Sequence, residues 1–382
     1  MAMTNKANYL PAVFLGSAAF GFLNFGLPIY ADGIGLDAVT IGGAYTVFMG
    51  TMLIVRPLIG AGLDRFGRRW FFTTAFVFYT LAMLAFAHTE GAAGLYVARF
   101  LQGVGASLMW VTARTMIADT EEPSSRGVAM GRLTTRSVRG SIVGGFYGFT
   151  LLGFMPLAQA WPIAFLGYAA LSGLAFIWSV GNVGETTAVI ARPAEDRVRF
   201  SPQLRRLFVI VFLTGFASAL IEPIYLLYLK SKFELPMLVL ALVFFPAGLV
   251  FAVLPRYSGG WSDKWGRGPV IAVGVVFAGL VSLALPFWPL VVFVGASYVL
   301  FSVGWAMASP ALDALVADLS PAHARGRVIG AKEAAAGVGA AIGPLVGGAL
   351  YQYTTPAAAF VVNGMTLFVA AFLTYHWFAT NR

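Results

Sequence analysis

Along most of the chain, apolar residues run for about twenty positions before a short polar stretch intervenes, and the alternation recurs from residue 9 to residue 378. A helix rising about 1.5 Å per residue needs about 20 residues to cross about 30 Å of hydrocarbon, so each run has the length of a membrane span. Twelve spans are expected, at 9–31, 40–60, 70–88, 93–118, 127–152, 161–181, 206–229, 236–255, 268–288, 290–317, 327–351 and 355–378. The opening MAMTNKANYL has one Lys, and no small-residue cleavage site cuts off a short apolar core. The first span therefore reads as a retained helix rather than a signal peptide. The fold class expected is an all-α membrane protein with twelve transmembrane helices.

Composition agrees with the pattern. With 59% hydrophobic residues, a mean hydropathy of +0.81 and 33 Phe among 382 residues, a water-soluble globule could not hide its apolar surface. The chain has no Cys, which excludes disulfides, thiolate metal sites and cysteine nucleophiles. No phosphate-binding G-x-x-x-x-G-K-[ST] loop is present, and His88 and His376 stand at span ends with no nucleophile and base pair near them in sequence. Neither an enzyme nor an ATP-driven pump is expected, and no cofactor or metal is implied.

The formal charge of +9 is not a nucleic-acid signal, because its positions follow the spans. Sixteen of the 25 Lys and Arg fall at Lys6, Arg382 or in and beside the even-numbered loops, whereas only Lys230 and Lys232 lie in odd ones. The excess of Lys and Arg in cytoplasmic loops puts both termini and the even loops in the cytoplasm, as in a bacterial inner membrane protein.

An internal repeat organises the spans. Shifting the chain by 199 residues pairs Asp64 with Asp263, Arg68 with Arg267, Asp119 with Asp318 and Arg126 with Arg325. The same shift places eight glycines on glycines: Gly60, Gly67, Gly105, Gly127, Gly131, Gly140, Gly144 and Gly148 meet Gly259, Gly266, Gly304, Gly326, Gly330, Gly339, Gly343 and Gly347. About one such match is expected by chance across this window, so the repeat is real. The expected organisation is a six-helix half at 1–181, a polar cytoplasmic linker at 182–205 and a second half at 206–382. Parallel six-helix halves are a transporter plan.

These features resemble the major facilitator superfamily across essentially the whole chain. GAGLDRFGRR (Gly60 to Arg69) is similar to its loop signature G-x-L-a-D-R-x-G-R-K, with Gly62 at the Leu position, and GGWSDKWGR (Gly259 to Arg267) is a second copy. RFLQGVGAS, from Arg99, resembles the helix 4 motif R-x-x-Q-G-x-G-a, and GAAIGPLVGG (Gly339 to Gly348) matches G-x-x-x-G-P-x-x-G-G, which drug/proton antiporters carry on helix 5. Here helix 5 has GSIVGGFYGF (Gly140 to Phe149), with Gly145 in place of Pro.

The resemblance implies two pseudo-symmetric six-helix bundles, alternating access and proton coupling, with motifs nearest the drug/proton antiporter type. It implies a cytoplasmic latch built on Asp64, Arg65, Gly67, Arg68 and Arg69, repeated at Asp263, Gly266 and Arg267 and joined by Arg126 and Arg325. Asp64 is then the acceptor for an Arg or a helix N-terminus. It also implies a coupling role for Arg99. Gly140, Gly144 and Gly148, with Gly339, Gly343, Pro344 and Gly347, read as close helix packing.

Charges inside the spans sharpen the reading. Seven bases lie there (Arg56, Arg99, Arg114, Arg132, Arg136, Arg139, Lys332) and three acids (Glu222, Asp313, Glu333). Each costs at least ~2.5 kcal/mol at mid-span unless it faces a partner or a wet cavity. Arg132, Arg136 and Arg139 share one helical face. Guanidinium groups suit carboxylate or phosphate, so Arg114, Arg136 and Arg139 point to an anionic or zwitterionic organic solute; structural pairing, as of Arg114 or Arg136 with Asp313, and snorkelling are the alternatives.

For protons, Glu222 is the first candidate and Asp313 the second, each with the alternative of a fixed ion pair. Glu333 beside Lys332 reads as a gate or structural pair. Asn24, Gln102, Trp110, Tyr225 and Trp305 are candidates to complete the pocket. The function expected is a monomeric proton-coupled exporter of a small amphiphile, with import of an organic anion as the alternative. A non-transporting sensor on this scaffold would be expected to carry an appended soluble domain.

Overall fold

The computed structural model describes residues 8–122, 125–186, 200–233, 246, 250, 254, 261–321 and 325–378, without the side chains of Ala61, Asp64, Gly127, Arg325 and Gly326. Among the described residues there are helices and turns and no strand. The chain divides into two compact units, Met1–Ala194 and Glu195–Arg382.

In unit 1 the first span is two helices, α1 (Leu10–Gly16) and α2 (Ala18–Gly33), interrupted at Ser17. Then follow α3 (Ala38–Phe66), α4 (Arg69–Ala87), α5 (Ala92–Thr120), α6 (Arg126–Phe154) and α7 (Leu157–Asn182). Unit 2 holds α8 (Pro202–Phe233), α9 (Arg267–Ala284), a short 3-10 turn (Leu285–Phe287), α10 (Val291–Leu319), α11 (Arg325–Tyr353) and α12 (Pro356–Phe378). The span expected at 236–255 lies outside the described residues.

Helix ends follow local chemistry. The Asp37 carboxylate accepts the Thr40 N–H at 2.7 Å and starts α3, a side-chain N-cap. Gly67 (φ +84°) ends α3 and Gly266 (φ +91°) precedes α9, a backbone region that only Gly enters without steric cost. Proline interrupts α2, α3, α7, α8, α10 and α11, as membrane helices tolerate where neighbours re-satisfy the freed carbonyls.

The same packing plan appears inside each unit. α6 lies against α1 and α2 as α11 lies against α8, and α4 is packed by α5 and α7 as α9 is by α10 and α12. The first contact runs backbone to backbone. A methyl group at Gly140 would strike the main chain of Phe14, at Gly144 that of Ala18, and at Gly148 the Phe22 ring. In unit 2, Gly339, Gly343 and Gly347 meet the main chain at Phe212, Phe216 and Leu220 in the same way. Small residues allow this approach where lipid supplies no hydrophobic drive between helices.

Aromatic residues close the far end of unit 1. Trp161 is fully buried, stacks on Tyr30 at 3.9 Å and donates from Nε1 to the Phe86 carbonyl at 2.8 Å. The Tyr30 hydroxyl donates to the Thr89 carbonyl at 2.7 Å, so ring burial leaves these two polar handles satisfied.

Nine described helices, counting α1 and α2 as one, are long and apolar enough to cross a membrane. The described helices α5 and α6 have the length and fall short on hydropathy. Their sequences carry Arg99, Arg114, Arg132, Arg136 and Arg139.

Candidate functional site

The polar surface of unit 1 is built on α6. Leu133, Ser137, Gly140, Gly144 and Gly148 form its buried side, and the Ser137 hydroxyl pairs with that of Ser17 at 2.8 Å. The opposite side exposes Arg132, Thr135, Arg136 and Arg139 and continues as the exposed apolar Val143 and Phe146. One helix face therefore passes from basic to apolar along its length. Each guanidinium at mid-span costs at least ~2.5 kcal/mol against lipid tails unless it snorkels or meets a partner, water or a polar solute.

Two neighbours of α6 add to it. On α5 the exposed Arg114 lies 5.6 Å over the half-buried Trp110 ring, an attractive cation–π geometry one helical turn apart. On α2, Asn24 is exposed. Asn24, Trp110, Arg114, Arg136 and Arg139 thus sit on three helices that adjoin through α6.

Arg99 and Gln102 stand apart from that group. Arg99 is 3% exposed and Gln102 2%. An Arg99 Nη donates to Gln102 Oε1 at 2.9 Å, and the guanidinium lies 4.5 Å from the Tyr45 ring and 5.3 Å from that of Phe48, both on α3. The i, i+3 spacing puts the two on one side of α5, and that side is the one packed on α3. Gln102, expected in the pocket, is instead the partner of Arg99 in the α3–α5 seam.

In unit 2, Glu222 is exposed on α8, just before the buried Pro223. Tyr225 contacts the rings of Tyr298 (5.6 Å) and Phe360 (5.9 Å) and lines a space of about 20 Å³, room for one water. Trp305 is half-buried on α10. Lys332 Nζ donates to Asp313 Oδ1 at 2.9 Å and to Glu333 Oε1 at 3.1 Å, so two acids share one ammonium group. Asp313 occupies the place in its repeat that Arg114 holds in the first.

The loop motif forms a clamp within each unit. In unit 1, Arg68 Nε donates to Asp119 Oδ2 at 2.9 Å, and an Arg68 Nη donates to the Leu63 carbonyl at 2.8 Å. The Glu185 carboxylate accepts the backbone N–H of Arg68 at 2.8 Å and of Arg69 at 3.2 Å, capping the start of α4, where the helix dipole favours an anion. Arg69 reaches the Val180 carbonyl at 2.7 Å. Arg65 is exposed over the Phe66 ring, and Arg126 donates to the carbonyls of Ala118 and Glu121 at the end of α5.

In unit 2, Arg267 Nε donates to Asp318 at 3.1 Å, while a second nitrogen meets Asp263 at 2.5 Å and Ser262 at 2.6 Å. The side chains of Asp64 and Arg325 lie outside the described residues. Asp119, Asp318 and Glu185 were not singled out as latch residues from the sequence. The repeat register already aligned Asp119 with Asp318 and Arg68 with Arg267, which is the signal that could have joined them. Glu185 lies in the polar join, where spacing carried no such mark.

Duplicated bundles of membrane-spanning helices with arginines and carboxylates held on exposed faces define a membrane transporter of small molecules rather than an enzyme. The sequence signature described as the Major Facilitator Superfamily matches residues 9–331 and 207–382, and the chain belongs to that superfamily.

The chain is 25% identical over 376 residues to the multi-drug resistance efflux pump PmrA homolog of Lactococcus lactis, covering 94% of this chain and 91% of that protein. It is 23% identical over 380 residues to multidrug resistance protein 1 of Bacillus subtilis, covering 97% of each. A crystal structure of the nucleoside transporter NupG shares the fold with a TM-score of 0.79 at 13% identity, over 98% of this chain and 100% of that one.

Proposed function

We propose that this transporter exports an anionic or zwitterionic amphiphile in exchange for protons, by alternating access, as a monomer in a bacterial inner membrane with both termini cytoplasmic. The observation that carries the reading is the α6 face that runs from Arg132, Arg136 and Arg139 to Val143 and Phe146. Guanidinium groups bind carboxylate or phosphate through paired hydrogen bonds, and the apolar continuation suits a hydrocarbon tail. Arg114, Trp110 and Asn24 complete the binding surface in unit 1, with Tyr225 and Trp305 in unit 2. The names of the efflux relatives support the outward direction.

Glu222 is the proton carrier in this reading, and Asp313, already engaged by Lys332, is the second candidate. Arg99 acts on coupling through the α3–α5 seam and not by touching solute. Asp64 and Arg65, with the two clamps and with Arg126 and Arg325, form the latch of the outward-open state, and the halves at 1–181 and 206–382 are joined by the linker at 182–205.

Proteoliposomes with an imposed pH gradient, screened against anionic, zwitterionic and cationic compounds, test the reading. Solute moving against the proton flow is expected; solute accumulating together with protons makes the protein an importer of an organic anion. Arg136→Gln with Arg139→Gln is expected to lower anion transport about tenfold or more, and full activity toward every anionic compound in a correctly inserted double variant sinks the anion claim. Glu222→Gln is expected to abolish pH-driven transport while keeping solute exchange, and an unchanged pH dependence removes it as the proton carrier. Asp64→Asn is expected to slow turnover more than it weakens binding; the opposite split argues against the latch.

A further inference from the structure

Asn363, on α12, is fully buried, and its side-chain amide donates to the Ala217 carbonyl of α8. Among the described residues its Oδ1 has no hydrogen-bond partner. Leaving a buried acceptor unmade is costly, and an apolar residue would fill the α8–α12 seam without that cost. Packing alone therefore does not account for Asn363.

Five residues beyond Ala217, Glu222 stands exposed before the buried Pro223. Pro223 lacks an N–H, so the Ala219 carbonyl loses its helical donor and α8 is most easily bent there. The helix is tied on either side of this point. Before it, Leu207, Val211 and Ala217 belong to a core shared with α9 and α12, and Asn363 holds Ala217. After it, the Tyr228 hydroxyl donates to the Pro286 carbonyl of the 3-10 turn at 3.4 Å and Lys232 Nζ to the same carbonyl at 2.7 Å. Between the ties, Ile221 and Tyr225 border the space of about 20 Å³, so the bend point faces slack rather than solid packing.

The first repeat lacks all three residues. The 199-residue shift sets Leu23 at the place of Glu222, Asn24 at that of Pro223 and Ala164 at that of Asn363, and Leu23 and Ala164 are buried. The first span breaks at Ser17 instead, whereas α8 runs on through the equivalent Phe216. The exposed acid, the proline and the buried amide thus occur together, in unit 2 only.

We propose that Asn363 is a positioning residue for Glu222: it fixes α8 at Ala217, so that the helix bends at Pro223 and turns the carboxyl while the rest of unit 2 stays in place. The inference rests on the reading of Glu222 as the proton carrier. Tyr298 on α10 lies within electrostatic reach of Glu222 and is the neighbour whose separation from it the bend alters.

Two measurements on the full chain test the assignment. Hydrogen exchange of the α8 amides at 218–227 in the purified protein reads the bend directly. Asn363→Ala is expected to speed that exchange about tenfold relative to the rest of unit 2, and Pro223→Ala, which restores an N–H for the Ala219 carbonyl, to slow it. In proteoliposomes the ratio of pH-driven transport to solute exchange is expected to fall about fivefold in each variant, since too loose and too stiff a helix both misplace the carboxyl. A purely structural Asn363 would lower the two activities together and leave their ratio unchanged. Asn363→Leu, close to Asn in size and without the amide, replaces Asn363→Ala if the smaller residue prevents folding. Unchanged α8 exchange in the Asn363 variant, or an unchanged transport ratio in that variant or in Pro223→Ala, overturns the proposal. Glu222→Gln tells this failure from that of the underlying reading: pH dependence unchanged there removes Glu222 as the carrier, and Asn363 as its positioning residue, however α8 exchanges.

Discussion

Arg68 and Arg267 hold the same position in their repeats and live in different surroundings. The Arg68–Asp119 side chains are 7% and 9% exposed, those of Arg267 and Asp318 25% and 56%. Removing one member of a buried pair strands the other charge, at a cost of about 3–5 kcal/mol, whereas an exposed pair is worth about 1 kcal/mol or less. Arg68→Gln is therefore expected to lower the melting temperature of the purified protein by several times the effect of Arg267→Gln, and equal shifts would contradict the difference in burial. The sequence aligned both arginines and both aspartates, because the repeat register is a property of the chain. It did not show that they touch, because the contact spans 51 residues and depends on how α4 and α5 pack. Nor did the R-x-x-Q spacing reveal which neighbour Arg99 and Gln102 face: spacing fixes a shared side of α5, and only packing decides that the side is turned to α3.

At the scale of the helix, hydropathy located the spans that fall on described residues well and their ends less well. The apolar run 40–60 becomes a helix from Ala38 to Phe66, because a helix continues through polar residues as long as its backbone bonds are made and stops where Gly67 adopts a positive φ. The break of the first span at Ser17 had no hydropathy signature at all. The glycine stripe was visible as a spacing, but its counterpart was not: Phe14 and Ala18 offer their main chain, which no side-chain pattern records. Gly144→Leu on α6 and Gly343→Leu on α11 are each expected to reduce the yield of monodisperse protein and its melting temperature sharply, since either side chain would meet backbone. Gly131 on the same α6 has open space around it, so Gly131→Ala is expected to be neutral or to add up to about 1 kcal/mol of helix stability. A comparable loss at Gly131 would show that helix flexibility, not close approach, governs the stripe.

Over the whole molecule, duplication set the packing plan and divergence set the charge. Arg114 and Asp313 derive from one ancestral position and carry opposite signs; α6 presents three arginines on its exposed side where α11 presents Ala331, Ala335 and Val338 at the equivalent places. The orientation read from the Lys and Arg asymmetry is testable without background, since the chain has no Cys. On intact cells a membrane-impermeant maleimide is expected to label Glu90→Cys and not Lys264→Cys, and the reverse pattern would invert the topology.

The clamp of unit 1 also carries an instruction about order in time. Glu185 lies 117 residues after Arg68, beyond the last helix of its unit, so the amides that begin α4 wait for their acceptor while four spans, α4 to α7, are made and inserted. A ribosome delivers the chain from its N-terminus, and domains close as they are completed. The arrival of that single carboxylate is thus the moment at which the first half of the transporter is finished, before any helix of the second has been synthesised.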